Sequence, residues 1–113
     1  MSLDVYLDLP VDSGNPEITA INVYSGNITH NLGKMANALN VFDLLWSPPS
    51  GCKAKDLTSH LARAISELEE YPDYYNEFNA ANSWGTREQF IPWLKDLLEK
   101  CEKYPNSIFH STR

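Results

Sequence analysis

The chain has 113 residues, 42% of them hydrophobic and 21% charged, which is an ordinary globular balance and excludes global disorder. Nine basic residues against fifteen acidic ones give a formal net charge of −6, so neither duplex nucleic acid nor an anionic membrane surface is an expected partner. No stretch approaches the roughly 18 apolar residues of a membrane span, and the opening residues are acidic and alternating rather than signal-like, so a cytoplasmic location is expected.

Residues 3–9 place Leu3, Val5, Leu7 and Leu9 on one side and Asp4, Tyr6 and Asp8 on the other, the period of a half-buried strand. Pro10 ends it, and Asp12-Ser13-Gly14-Asn15-Pro16 carries dense turn chemistry. Ile18 to Tyr24 is rich in β-branched residues. The expected unit is a hairpin with strands near 2–9 and 18–25.

Ile28, Leu32, Met35, Leu39, Phe42 and Trp46 follow at gaps of three and four, which predicts one amphipathic helix, capped by Asn27 or Thr29 and stopped by Pro48-Pro49. Ala54, Leu57, Leu61, Ala64, Ile65 and Leu68 predict a second helix ending at Pro72. Residues 71–85 form an aromatic-rich connection with one short helical turn. Thr86 and Gln89 have capping-box spacing and open a third helix over Phe90, Leu94, Leu97, Leu98 and Cys101, with Pro92 either kinking it or delaying its start. Ile108 to Thr112 reads as a short final strand beside the hairpin. The expected fold is a single α+β domain over residues 1–113: an N-terminal β-hairpin, three amphipathic helices and a short C-terminal strand, the helices packed on one face of a small antiparallel sheet. The expected core is Leu3, Val5, Leu7, Ile21, Val23, Leu32, Met35, Leu39, Phe42, Leu57, Leu61, Ile65, Phe90, Leu94 and Leu97.

No close histidine or cysteine spacing suggests a metal site, and no phosphate-binding or nucleophile motif is present, so no metal, cofactor or catalytic residue is expected. Cys52 and Cys101 are read as reduced thiols. Two polar helix openings stand out. Asn27, Thr29, His30 and Asn31 surround the first, with more polar side chains than capping requires. Asn82, Trp84, Gly85, Thr86 and Arg87 surround the third, where Trp84 is suited to stack on a ring and Arg87 to pair with an anion. The ordinary structural reading is that these residues cap and turn. The functional reading is that both openings face one cleft and bind a small anionic or nucleotide-like ligand.

The segments Met1-Ser2-Leu3-Asp4-Val5-Tyr6-Leu7, Asn27-Ile28-Thr29-His30-Asn31-Leu32 and Asn82-Ser83-Trp84-Gly85-Thr86 resemble a group of small uncharacterised bacteriophage and prophage proteins. The resemblance implies a compact fold, a phage source, residence in the host cytoplasm and a host-interaction role. It carries over no catalytic residues. Three functions are therefore expected in order: a non-catalytic small-ligand-binding accessory protein that sequesters a nucleotide-like defence signal; an inhibitor or assembly factor that binds a host protein through an acidic, aromatic-rich surface; and an enzyme using His30 as acid or base. The aromatic density of residues 71–84 further suggests a homodimer.

Overall fold

The computed structural model describes residues 2–113. Strand β1 (Ser2–Pro10) is central in a three-stranded antiparallel sheet of order β2-β1-β3, with β2 (Ala20–Thr29) on one side and β3 (Ile108–Thr112) on the other. β1 runs against β2 from Ser2↔Thr29 to Pro10↔Ala20, and against β3 from Asp4↔Thr112 to Asp8↔Ile108. The alternation works as expected: Leu3, Val5 and Leu7 have no exposure and join Ile28 and Phe109 beneath the helices. The opposite face is polar. There Asn27 donates to Asp4 at 2.6 Å, His110 meets Asp8, and the Tyr6 ring stacks on His110 with centroids 4.9 Å apart. Partial burial raises the Asp8 pKa, but hydrogen bonds from Asn22 and His110 outweigh it and hold the carboxyl below its ordinary value.

Of the expected core residues, Val23 and Phe42 are only partly buried and pack against the core, and Ile21 of β2 lies outside it. Tyr24 pairs with Leu7 and Asn22 with Asp8, so Val23 is the extra residue of a bulge and is only partly buried. Ile21 is 52% exposed because the hairpin continues past Asp8, where β3 ends. This arm makes the molecule 52 Å long against 27 and 20 Å in the other directions.

The first expected helix is divided. β2 continues through Thr29, a 3-10 turn covers His30–Leu32, and two short helices follow, α1 (Gly33–Ala38) and α2 (Phe42–Trp46). The break is at Asn40, whose φ of 58° lies in the left-handed region that Asn tolerates. Asn40 N–H bonds to Asn37 O at 3.0 Å and Val41 N–H to Ala36 O at 2.9 Å, the Schellman pattern that ends a helix. Ala36 and Val41 are both fully buried and seal it. The apolar spacing persists across the break because both helices bury one face, including Leu45 and Trp46.

A 3-10 turn at Ala54–Asp56 leads into α3 (Thr58–Glu70). α4 (Pro72–Asn76) is the short turn expected in the aromatic connection, with Pro72 in its first turn. α5 (Arg87–Lys103) starts directly after its N-cap Thr86, which forms the capping box with Gln89, so Pro92 does not delay it. The helices cover one face of the sheet, and Leu61, Ala64, Ile65 and Leu68 of α3 share a core with Phe90, Leu94, Leu97 and Cys101 of α5. No helix of the described residues is long and apolar enough to cross a membrane.

Candidate functional site

The end of β2 and the 3-10 turn form one wall of the candidate site. Thr29 Oγ1 accepts from Asn31 N–H at 3.3 Å and fixes the turn. His30 is aimed by α2: the indole N–H of Trp46 donates to His30 Nδ1 at 2.8 Å. An indole nitrogen only donates, so Nδ1 must accept and the neutral imidazole carries its proton on Nε2. His30 Nε2 is buried and has no hydrogen-bond partner.

The loop before α5 forms the other wall, and Gln89 locks it. Gln89 Oε1 accepts from Gly85 N–H at 2.8 Å and Thr86 N–H at 3.1 Å, while Nε2 donates to Ser83 O at 3.1 Å. Asn82 Oδ1 accepts from Trp84 N–H at 3.0 Å. The backbone turns through positive φ at Ser83 (61°) and Gly85 (112°), leaving the Trp84 side chain 68% exposed.

The two walls meet. Asn31 Nδ2 donates to Trp84 O at 2.7 Å. Beside this bond, a Cβ on Gly85 would lie 2.8 Å from Asn31 Cβ and 3.2 Å from Thr29 Cγ2, so only glycine permits the approach. Between the walls is an open cleft of about 660 Å³ lined by Ser2, Asn27, Thr29, His30, Asn31 and Trp84. A second hollow of about 810 Å³ shares His30 and Asn31 and adds Lys34, Glu77, Asn79 and Asn82 among its lining. A third, of about 360 Å³, lies beside Trp84 and reaches Gln89 and Trp93, whose Nε1 is another buried donor without a partner.

Of the expected site residues, Asn27, Thr29, His30, Asn31 and Trp84 line one cleft, and Asn82 lines its neighbour. Asn27 belongs to β2 and bonds to Asp4 rather than capping a helix. Gly85 is the spacer that lets the walls touch, and Thr86 caps α5.

Arg87 does not line the cleft. Its guanidinium donates to Leu68 O at 2.9 Å and Asn76 Oδ1 at 3.1 Å, and its N–H donates to Asn79 Oδ1 at 2.7 Å. The anion-pairing role expected of Arg87 therefore does not fit its position: it ties α5 to the end of α3 and to α4. The reason is local. The last carbonyls of α3 lack helical partners, and a guanidinium at the start of α5 reaches them.

The walls of the main cleft hold carboxamides, hydroxyls, an imidazole donor and an indole, which hydrogen-bond and stack. His30 takes its orienting contact from an indole and not from a carboxylate, so the acid–base expectation gains no geometric support. Among the described residues no group of His, Cys, Asp or Glu side chains is arranged to hold a metal ion. Sequence reasoning missed Lys34, Gln89 and Trp93. Only Gln89 had a local signal, its capping-box spacing from Thr86. Comparison of the chain with protein-family models, with curated proteins and with solved structures finds no match.

Proposed function

We propose that the chain is a non-catalytic binding protein for a small, ring-bearing, nucleotide-like molecule, held between the Thr29–Asn31 turn and Trp84. The observation that carries this reading is the Trp84 indole, 68% exposed on a loop that Gln89 and Asn31 hold in place. An exposed indole on a rigid support offers an apolar face to a ring at little ordering cost. The cleft volume of about 660 Å³ suits such a ligand, since binding pockets run to about 300–1,000 Å³. Its polar side chains supply donors and acceptors for the edges of a ring. In the phage setting that the resemblance implies, such a protein would withdraw a nucleotide-like defence signal from the host.

Native mass spectrometry of the protein purified from cells tests this reading. The wild type should retain a small molecule that Trp84→Ala loses. A wild type that carries no small molecule, and whose tryptophan fluorescence shows no saturable response to nucleosides or nucleotides, would remove it.

A second reading rests on a different surface. Tyr71 and Tyr74 are 51% and 55% exposed, the Tyr74 ring packs edge-on against Tyr75 and Phe78, and exposed aromatics of this kind can anchor a protein partner or a second copy. A Tyr71→Ser/Tyr74→Ser variant that changes the mass found by light scattering would favour it.

A further inference from the structure

Resting on the ligand-binding reading above, we infer that the ligand carries an anionic group, and that Lys34 with His30 receives it while Trp84 holds the ring. Three observations lead there. Arg87, the basic residue of the Trp84 segment, is committed to Leu68 O and Asn76. Lys34 is exposed, makes no ion pair among the described residues, and lines the hollow that shares His30 and Asn31 with the Trp84 cleft. His30 lines both hollows, and its Nε2–H is a buried donor with no acceptor.

His30 opens the 3-10 turn that runs directly into α1, and Lys34 lies in the first turn of α1. They line a further hollow in common, over Gly33 and Phe42. An imidazole N–H and an ammonium are both donors. Together they call for an acceptor that bears negative charge, and a buried donor left unpaired is costly. The ligand's anionic group would supply the missing acceptor, displacing whatever covers Nε2 as it enters. The one opposing charge is Glu77, which lines the same hollow without pairing with Lys34. A bound anion therefore lies on the Lys34 side.

A ring stacked on Trp84 and an anion at Lys34, joined across Asn31, describe a nucleoside monophosphate or a molecule of the same shape. Two adjoining hollows of about 660 and 810 Å³ leave room for both parts.

Adenosine 5′-monophosphate, adenosine and inorganic phosphate are the probes, titrated against the full chain by tryptophan fluorescence and calorimetry. The monophosphate should bind about tenfold more tightly than adenosine, the scale of one charge-assisted contact. Inorganic phosphate alone should bind weakly. Lys34→Ala should reduce the preference for the monophosphate, by weakening the monophosphate more than adenosine, and Glu77→Gln should increase the preference. Both residues are exposed, so neither variant threatens folding. Equal binding of adenosine and its monophosphate by the wild type, or an undiminished preference in Lys34→Ala, would overturn the inference and leave the ring-binding reading standing. Absence of binding by both nucleoside probes at millimolar concentration would overturn the two together.

Discussion

The side-chain amide of Asn31 donates to the main-chain oxygen of Trp84 at 2.7 Å, across a separation of 53 residues. This bond joins the turn after β2 to the loop before α5, and it makes one cleft out of two segments that the chain keeps far apart. The consequences can be tested at the residues that hold the joint.

Gly85 is the position least able to change. Its φ of 112° is strained for any residue with a Cβ, and an added Cβ would meet Asn31 and Thr29. Gly85→Ala is expected to cost about 1–3 kcal/mol, the scale of backbone strain of this kind. It should also move Trp84. Urea unfolding and the tryptophan emission maximum check both effects, and unchanged values would show that the walls are not in contact.

Arg87→Ala should behave as a stability variant. It removes the donors to Leu68 O and Asn76 and is expected to lower stability by about 1.5–3 kcal/mol, the range for hydrogen bonds to a charged group. The preference for a nucleoside monophosphate over its nucleoside should survive. A loss of that preference in a folded Arg87→Ala protein would return the anion contact to Arg87.

Trp84→Ala should show the opposite pattern. The indole is mostly exposed, so stability should stay within about 0.5 kcal/mol of the wild type. Ring affinity should fall by about 1–3 kcal/mol, the range measured for stacking of a base on an aromatic side chain. A large drop in melting temperature would identify Trp84 as a structural plug instead.

The cysteines bear on alkaline stability. Burial pushes the Cys101 thiol up to about 12, with smaller contributions from Cys52 and Glu102, and burial also raises Cys52. A folded-state pKa above the unfolded one means that the native thiol keeps its proton when the unfolded thiol has lost it. The unfolded state then binds fewer protons, so stability falls as pH rises above the unfolded thiol value of 9.0 and continues to fall towards 12. Tyr24 and Tyr75, also raised to about 12, add to the loss above pH 10. Urea midpoints between pH 7 and 11 should decline, and less steeply in Cys101→Ala. Both thiols should resist a thiol reagent at pH 8 until the protein unfolds; rapid labelling of Cys101 in the native protein would contradict its burial.

Local pattern was sufficient for much of the fold. The alternation of Leu3, Val5 and Leu7 is a strand because a period of two can bury only one face of a sheet. The Thr86–Gln89 box starts a helix because its side chains satisfy backbone donors within one turn. The division at Asn40 was harder to see. Apolar spacing from Ile28 to Trp46 is the same for one helix or two, and the deciding interactions are Schellman bonds sealed by Val41 against Ala36.

The residues themselves determined the hairpin, the two long helices and the final strand, and that polar side chains would cluster after β2 and before α5, because capping, turn chemistry and periodicity act over a few neighbours. Only the tertiary structure decided that these clusters share a cleft, that Trp46 orients His30, that Arg87 turns to the end of α3, and that Lys34 lines the adjoining hollow. Those outcomes depend on which carbonyls and donors arrive from distant segments. Long side chains bond to whatever the packed elements bring within about 3 Å, a choice that sequence spacing does not encode.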